Sequence, residues 1–134
     1  MIKGKILLVD DDEDDQLIFT DALREIHFSY DCLIANNGLT GLALLEAEEN
    51  PPAMIFLDLN MPLMNGAEFL RQIKKHTIYR LIPVVIFSTS NNPIDKEKML
   101  NLGANRFITK MAEFKILKSK LSELLFDANK PSFN

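Results

Sequence analysis

Cysteine is nearly absent from this chain: Cys32 is the single one in 134 residues. One thiol excludes an internal disulfide, and such scarcity fits a reducing compartment. Within Tyr30-Asp31-Cys32-Leu33-Ile34-Ala35 it reads as a strand residue rather than a reactive group. Long apolar runs are missing too. No stretch approaches the roughly 18 consecutive apolar residues of a membrane-spanning helix. The opening Met1-Ile2-Lys3-Gly4 leads directly into a strand and leaves no room for a signal peptide. Excess positive charge is also lacking. The net charge is −4, so non-specific binding to nucleic acid has no electrostatic support. There are no internal repeats and no low-complexity linker. Together these absences describe a cytoplasmic protein with no direct nucleic-acid partner and no membrane attachment.

What is present is an ordinary globular composition, 47% hydrophobic and 25% charged, in a length that suits one domain with one sizeable core. Apolar runs of strand length alternate with segments of helical period. Strands are expected at 5–9, 30–35, 53–58, 82–88 and 106–109. The first helix is expected over 13–26, with Asp12 as N-cap, Asp15 at N3 and Leu17, Ile18, Ala22 and Ile26 as its apolar stripe. A second helix carries Leu39, Leu42, Ala43 and Leu45 to about residue 49, where Pro51-Pro52 stops it. The third, 66–75, turns Phe69, Leu70 and Ile73 inward. The fourth starts at Pro93 behind Asn92 and ends at Gly103. The fifth presents Phe114, Leu117, Leu121, Leu124 and Leu125 on one stripe. Five strand–helix units in succession argue for an α/β fold, a doubly wound parallel sheet with helices on both faces. Pattern alone leaves the strand order open.

Two of the strands end in carboxylates. Asp10-Asp11-Asp12 closes the first, and Asp58 closes the third before a turn containing Pro62 and Gly66. In the flavodoxin-like order 2-1-3-4-5, strands one and three are neighbours and their carboxyl ends meet at the switch point. Crowded carboxylates repel and would partly protonate unless a cation offsets them. Hard oxygen ligands of this kind suit Mg²⁺. An Asp carboxylate can also attack phosphorus and form an acyl phosphate. The ends of strands four and five add a hydroxyl, Ser88, and an ammonium, Lys110, both suited to phosphoryl oxygens.

Taken together, Ile6-Leu7-Leu8-Val9-Asp10-Asp11, Phe56-Leu57-Asp58-Leu59-Asn60-Met61-Pro62 with Asn65-Gly66, Phe87-Ser88-Thr89-Ser90 and Phe107-Ile108-Thr109-Lys110 resemble the receiver domain of two-component response regulators. The resemblance spans about residues 4–127, with a short tail over 128–134 and no effector domain. It implies the CheY-like order 2-1-3-4-5 and a stand-alone receiver in a phosphorelay. It also implies that Asp58 accepts a phosphoryl group from a sensor histidine kinase or a histidine phosphotransfer protein. Asp11 would bind Mg²⁺ directly, Asp10 through water, and Asn60 through its backbone carbonyl. Ser88 and Lys110 would contact the phosphoryl oxygens, and Phe107 would be the aromatic that reorients on activation. A downstream protein would dock on the face formed by helix four, strand five and helix five, with Ile94, Phe107 and Ile116 in that surface. The implied state is a monomer, with a dimer on phosphorylation as the alternative. The chain departs from the family pattern at three places. Met111 follows Lys110 where proline is usual, and a trans bond is expected there. Thr89 stands where Ala or Gly is common and would narrow access to Asp58. Phe107 stands where Tyr is common.

Blander readings compete with several of these roles. Asp12 reads as a helix cap before a metal ligand, and Glu13-Asp14-Asp15 as complements to a helix dipole. His27 and His76 sit at helix ends or loops, away from the bundle face where a phosphohistidine donor belongs. Two other functions use the same residues. One is a small Mg²⁺-dependent phosphohydrolase with Asp58 as nucleophile, although a haloacid dehalogenase-like enzyme carries Asp where this chain has Asn60. The other is a degenerate receiver that acts only as a binding module. The favoured reading is a switch and not an enzyme acting on an outside substrate.

Overall fold

A computed structural model of the protein describes residues 4–26, 30–110 and 113–128. Met111 and His27 lie outside the described residues, and with them the expectations about the bond after Lys110 and about His27. The chain alternates β1 (Gly4–Val9), α1 (Glu13–Ile26), β2 (Tyr30–Ala35), α2 (Gly38–Ala47), β3 (Met54–Leu57), α3 (Gly66–Lys75), β4 (Val84–Ser88), α4 (Pro93–Asn101), β5 (Arg106–Thr109) and α5 (Phe114–Ala128). All five strands are parallel, in the order β2-β1-β3-β4-β5. The chain order β1, β2, β3 therefore reverses direction at β1, and a cleft opens between the ends of β1 and β3.

The pleat divides the core into two layers. Ile6, Leu8, Met54, Phe56, Val85, Phe87 and Ile108 face α1 and α5, where they meet Phe19, Ala22, Leu23, Leu117 and Leu121. Leu7, Val9, Ile55, Leu57, Val84 and Ile86 face the other side and meet Leu45, Phe69, Leu70, Ile73 and Met99. Burial on both faces explains why the strands are apolar without alternation. Phe19 anchors the first layer with an edge-on contact to Phe56, ring centroids 4.8 Å apart.

The helical periods hold except in two stripes. On α1, Leu17 and Ile18 are 60% and 43% exposed, and the buried set is Phe19, Ala22 and Leu23, with Ile26 packed beside them. Phe19, Ala22, Leu23 and Ile26 follow the i, i+3, i+4, i+7 spacing, whereas Leu17 and Ile18 fall off that arc. On α2, Leu45 is buried but Leu39 and Ala43 are exposed. There the inward positions go to Gly38 and Gly41, which let the helix lie close against Met64 and Phe69. The expected strand over 82–88 begins only at Val84, because a 3-10 turn at Tyr79–Leu81 and then Pro83 precede it. Capping follows expectation. Asp12 Oδ1 accepts from the backbone N–H of Asp14 and Asp15, Asn92 caps α4, and Gly103 takes φ +110 after that helix.

Candidate functional site

Ladder hydrogen bonds run one residue past the strands and fix where each side chain at the cleft points. The N–H of Asp10 donates to Ala35 O at 2.9 Å, that of Asp58 to Val9 O at 2.9 Å, and that of Lys110 to Ser88 O at 2.7 Å. The pleat therefore carries on, and Asp10, Asp58 and Lys110 fall on the side of Leu8, Phe56 and Ile108. Ser88 falls on the side of Ile86. Three charged groups from three strands thus converge, and the buried Ser88 ends the neighbouring β4.

Beyond Asp58 the chain turns back at once. The N–H of Gly66 donates to Leu59 O at 2.8 Å, and a Cβ at Gly66 would collide with the Asp58 carbonyl oxygen. Asn65 and Glu68 close a capping box that starts α3 from this turn. The Asn65-Gly66 pair is therefore what holds the loop after Asp58 tight.

Asp10 is fully buried, and its Oδ1 accepts from the N–H of Asp12 at 3.0 Å. Lys110 Nζ lies 2.8 Å from Asp10 Oδ2. That is close enough for strong charge attraction, yet off the direction a hydrogen bond needs, so this oxygen has no aligned donor among the described residues. Asp58 is nearly buried; its Oδ1 accepts from the N–H of Leu59 at 2.8 Å and its Oδ2 lies 3.4 Å from Lys110 Nζ. Asp11 is exposed, and one carboxylate oxygen from each of Asp10, Asp11 and Asp58 falls within 4.8 Å of the others.

Burial dominates the titration of Asp10 and Asp58. It pushes the Asp10 and Asp58 carboxyls above the usual carboxylate range, although the Lys110 ammonium pulls both down. Burial alone would draw Lys110 down. Its contacts with Asp10 and Asp15, together with the charges of Asp58 and Asp10, outweigh that and hold it above the ordinary lysine value. The carboxylates outnumber the one ammonium, and a buried oxygen on Asp10 is left without an aligned donor. Those two facts fit a hard divalent cation, which would take oxygens of this type and keep waters in its other positions.

The remaining expected residues are placed as follows. Ser88 is fully buried, and its Oγ accepts from the N–H of Ser90 at 3.3 Å. Thr89 and Asn60 are exposed at the rim. Phe107 is half-buried on β5, opposite Ile86, and packs against the second core layer. It also lines a groove of about 310 Å³ between α4, β5 and α5, together with Lys96, Leu100, Arg106 and Lys120. Ile94 borders a separate hollow with Arg71 and Glu97, and Ile116 is half-buried on α5.

Sequence reasoning missed Asp15. Its Oδ2 lies 2.8 Å from Lys110 Nζ, closer than Asp58 does, with the Asp15 side chain 27% exposed. A first-turn acid on α1 reads as a dipole complement, but Asp15 lies four residues before the buried Phe19 and so shares its inward face. That spacing was the available signal.

Comparison with known proteins gives a consistent result. The model of the response regulator receiver domain matches residues 6–122. The response regulator Rcp1 of Synechocystis sp. is 35% identical over 117 residues, covering 84% of this chain and 80% of Rcp1. The phosphorylated cyanobacterial phytochrome response regulator RcpA superposes with a TM-score of 0.82 at 32% identity, covering 90% of each chain. The Mn²⁺-bound form of Rcp1 superposes with a TM-score of 0.82 at 28% identity, covering 98% of this chain and 99% of that one.

Proposed function

The chain belongs to the response regulator receiver family, and on that premise we propose that it is a phosphoacceptor switch with Asp58 as the acceptor. Receivers are signalling switches rather than classical enzymes. One observation carries the assignment to Asp58. It is the nearly buried carboxylate at the cleft between β1 and β3, with Asp10 and Asp11 oxygens within 4.8 Å and Lys110 Nζ at 3.4 Å.

In the proposed reaction one Asp58 oxygen attacks the phosphorus of a phosphohistidine on a sensor kinase or phosphotransfer protein. The new O–P bond forms as the P–N bond breaks, and the imidazole leaves with the electron pair and takes a proton from solvent. Asp10, Asp11 and Asp58, with the Asn60 backbone carbonyl, would hold a Mg²⁺ ion. When bound, that ion supplies positive charge to the phosphoryl oxygens. Lys110 offers its ammonium to one phosphoryl oxygen and Ser88 its hydroxyl to another. The backbone bond from Lys110 N–H to Ser88 O keeps these two strand ends in register. Thr89 at the rim limits the approach to Asp58. The Mn²⁺ form of Rcp1 and the phosphorylated form of RcpA support this chemistry for the present chain.

Movement of Ser88 toward the phosphoryl group would pull β4 at its end. Phe107, paired beside β4, then repacks and alters the groove between α4, β5 and α5 where a downstream protein docks. The test uses the protein with Mg²⁺ and a small-molecule phosphodonor, read by mass spectrometry. The expected result is one acid-labile adduct that is absent in Asp58→Asn. An adduct that persists in that variant refutes the assignment.

A further inference from the structure

An ammonium has three N–H donors, and in this site three carboxylates already surround Lys110. Asp10 and Asp15 stand at 2.8 Å and Asp58 at 3.4 Å. Of these, Asp15 is the one that comes from α1 rather than from a strand end, and it takes no part in the metal cluster. Its hydrogen bond with Lys110 is the shorter of the two that Lys110 directs at carboxylates, 2.8 Å against 3.4 Å. Asp15 therefore holds one of the Lys110 donors that a phosphoryl oxygen on Asp58 would need.

We infer that Asp15 is a positioning residue that competes with the phosphoryl group for Lys110 and so shortens the life of the Asp58 phosphate. The inference rests on Asp58 being the phosphoacceptor. A phosphoryl oxygen bound to Asp58 needs a donor from Lys110, and that donor comes most readily from the Asp15 contact. While Asp15 retains it, the ammonium neutralises less of the phosphoryl charge. The phosphorylated state is then less favoured relative to the free one. Hydrolysis resets the site: a water oxygen bonds to phosphorus, the bond from phosphorus to Asp58 breaks, and the carboxylate leaves. The water protons stay with the released phosphate and the solvent.

The same residue on the plain reading merely complements the α1 dipole, alongside Glu13 and Asp14. The two roles separate cleanly. The variants are Asp15→Asn, Asp15→Glu and Glu13→Gln, the last removing a first-turn charge that does not touch Lys110. Each is phosphorylated with the small-molecule donor and Mg²⁺ and its phosphate lifetime is followed. Each is also titrated with beryllium fluoride, an acyl-phosphate mimic, by fluorine NMR, which needs no turnover. A partly exposed ion pair is worth roughly a two- to five-fold change. Asp15→Asn is expected to lengthen the lifetime and tighten beryllium fluoride by about that factor, Asp15→Glu to restore both, and Glu13→Gln to leave both unchanged. An unchanged or shortened lifetime in Asp15→Asn, or an equal effect from Glu13→Gln, overturns the inference while leaving Asp58 as acceptor. If the unmodified protein takes no phosphoryl group on Asp58, the phosphoacceptor reading falls and this inference falls with it.

Discussion

Adding a divalent cation should stabilise this protein, and the amount should depend on pH and on Asp58. Asp10, Asp15 and Asp58 crowd around one ammonium and Asp11 lies beside Asp10 and Asp58, so the fully ionised cluster carries more negative than positive charge. A cation that binds only the folded form contributes about 2.7 kcal/mol at 100 times its dissociation constant. For a chain of this size that is a rise of roughly 10 °C in Tm. The pH dependence follows from the burial that raises the Asp10 and Asp58 carboxyls. A carboxyl raised in the folded state binds protons more readily there than in the unfolded chain. Its stabilising effect is complete below the unfolded value of about 3.9 and is lost as the pH rises through the raised folded value. Without metal, then, Asp58→Asn should be more stable than the parent at about pH 7.5, where the buried charge is a burden, and the advantage should fade toward about pH 4. With metal the order reverses. The parent gains most at neutral pH, and its gain shrinks as protons displace the cation, while Asp58→Asn gains little at any pH. Differential scanning fluorimetry without metal, with Mg²⁺ and with Mn²⁺, across that pH range, reads these curves for both proteins. A metal-induced shift of the same size in Asp58→Asn, or one independent of pH, would refute the reasoning.

Three further substitutions test the frame around the site. Phe19 is fully buried between α1 and the sheet, against Phe56 and Phe87. Phe19→Ala should cost about 3–5 kcal/mol, read as a lower denaturation midpoint with an unchanged slope. Leu17→Ala, on the exposed side of the same helix, should change stability by about 0.5 kcal/mol or less in the same measurement. Gly66→Ala should cost about 1–3 kcal/mol, because its Cβ meets the Asp58 carbonyl. By moving Asp58 it should also reduce the metal-induced rise in Tm, which calorimetry would show as weaker Mn²⁺ binding.

Much of this molecule is local in origin and therefore legible in one dimension. Strand runs such as Ile6-Leu7-Leu8-Val9, the Asn92-Pro93 start of α4 and its Gly103 end are set by backbone preference and by which residues can be buried. The carboxylates that end the first and third strands, and the Ser88 and Lys110 that end the fourth and fifth, were visible for the same reason. They interrupt apolar runs, where a polar group is costly without a role. What sequence periodicity left open was decided by relations between distant segments. Leu17 and Ile18 look as apolar as Phe19, yet only the approach of α1 to β3 and β4 chose the buried arc. Leu39 lost its inward place to two glycines because Met64 and Phe69 come close from another part of the chain. The strand order brought Asp10 beside Asp58, and the shared pleat aimed both at Lys110. Asp15 shows the division most clearly. Its residue type and its place in a first helical turn were local facts, and a capping role explained them. Its 2.8 Å contact joins residues 95 apart in sequence, and only the packed fold supplies that distance.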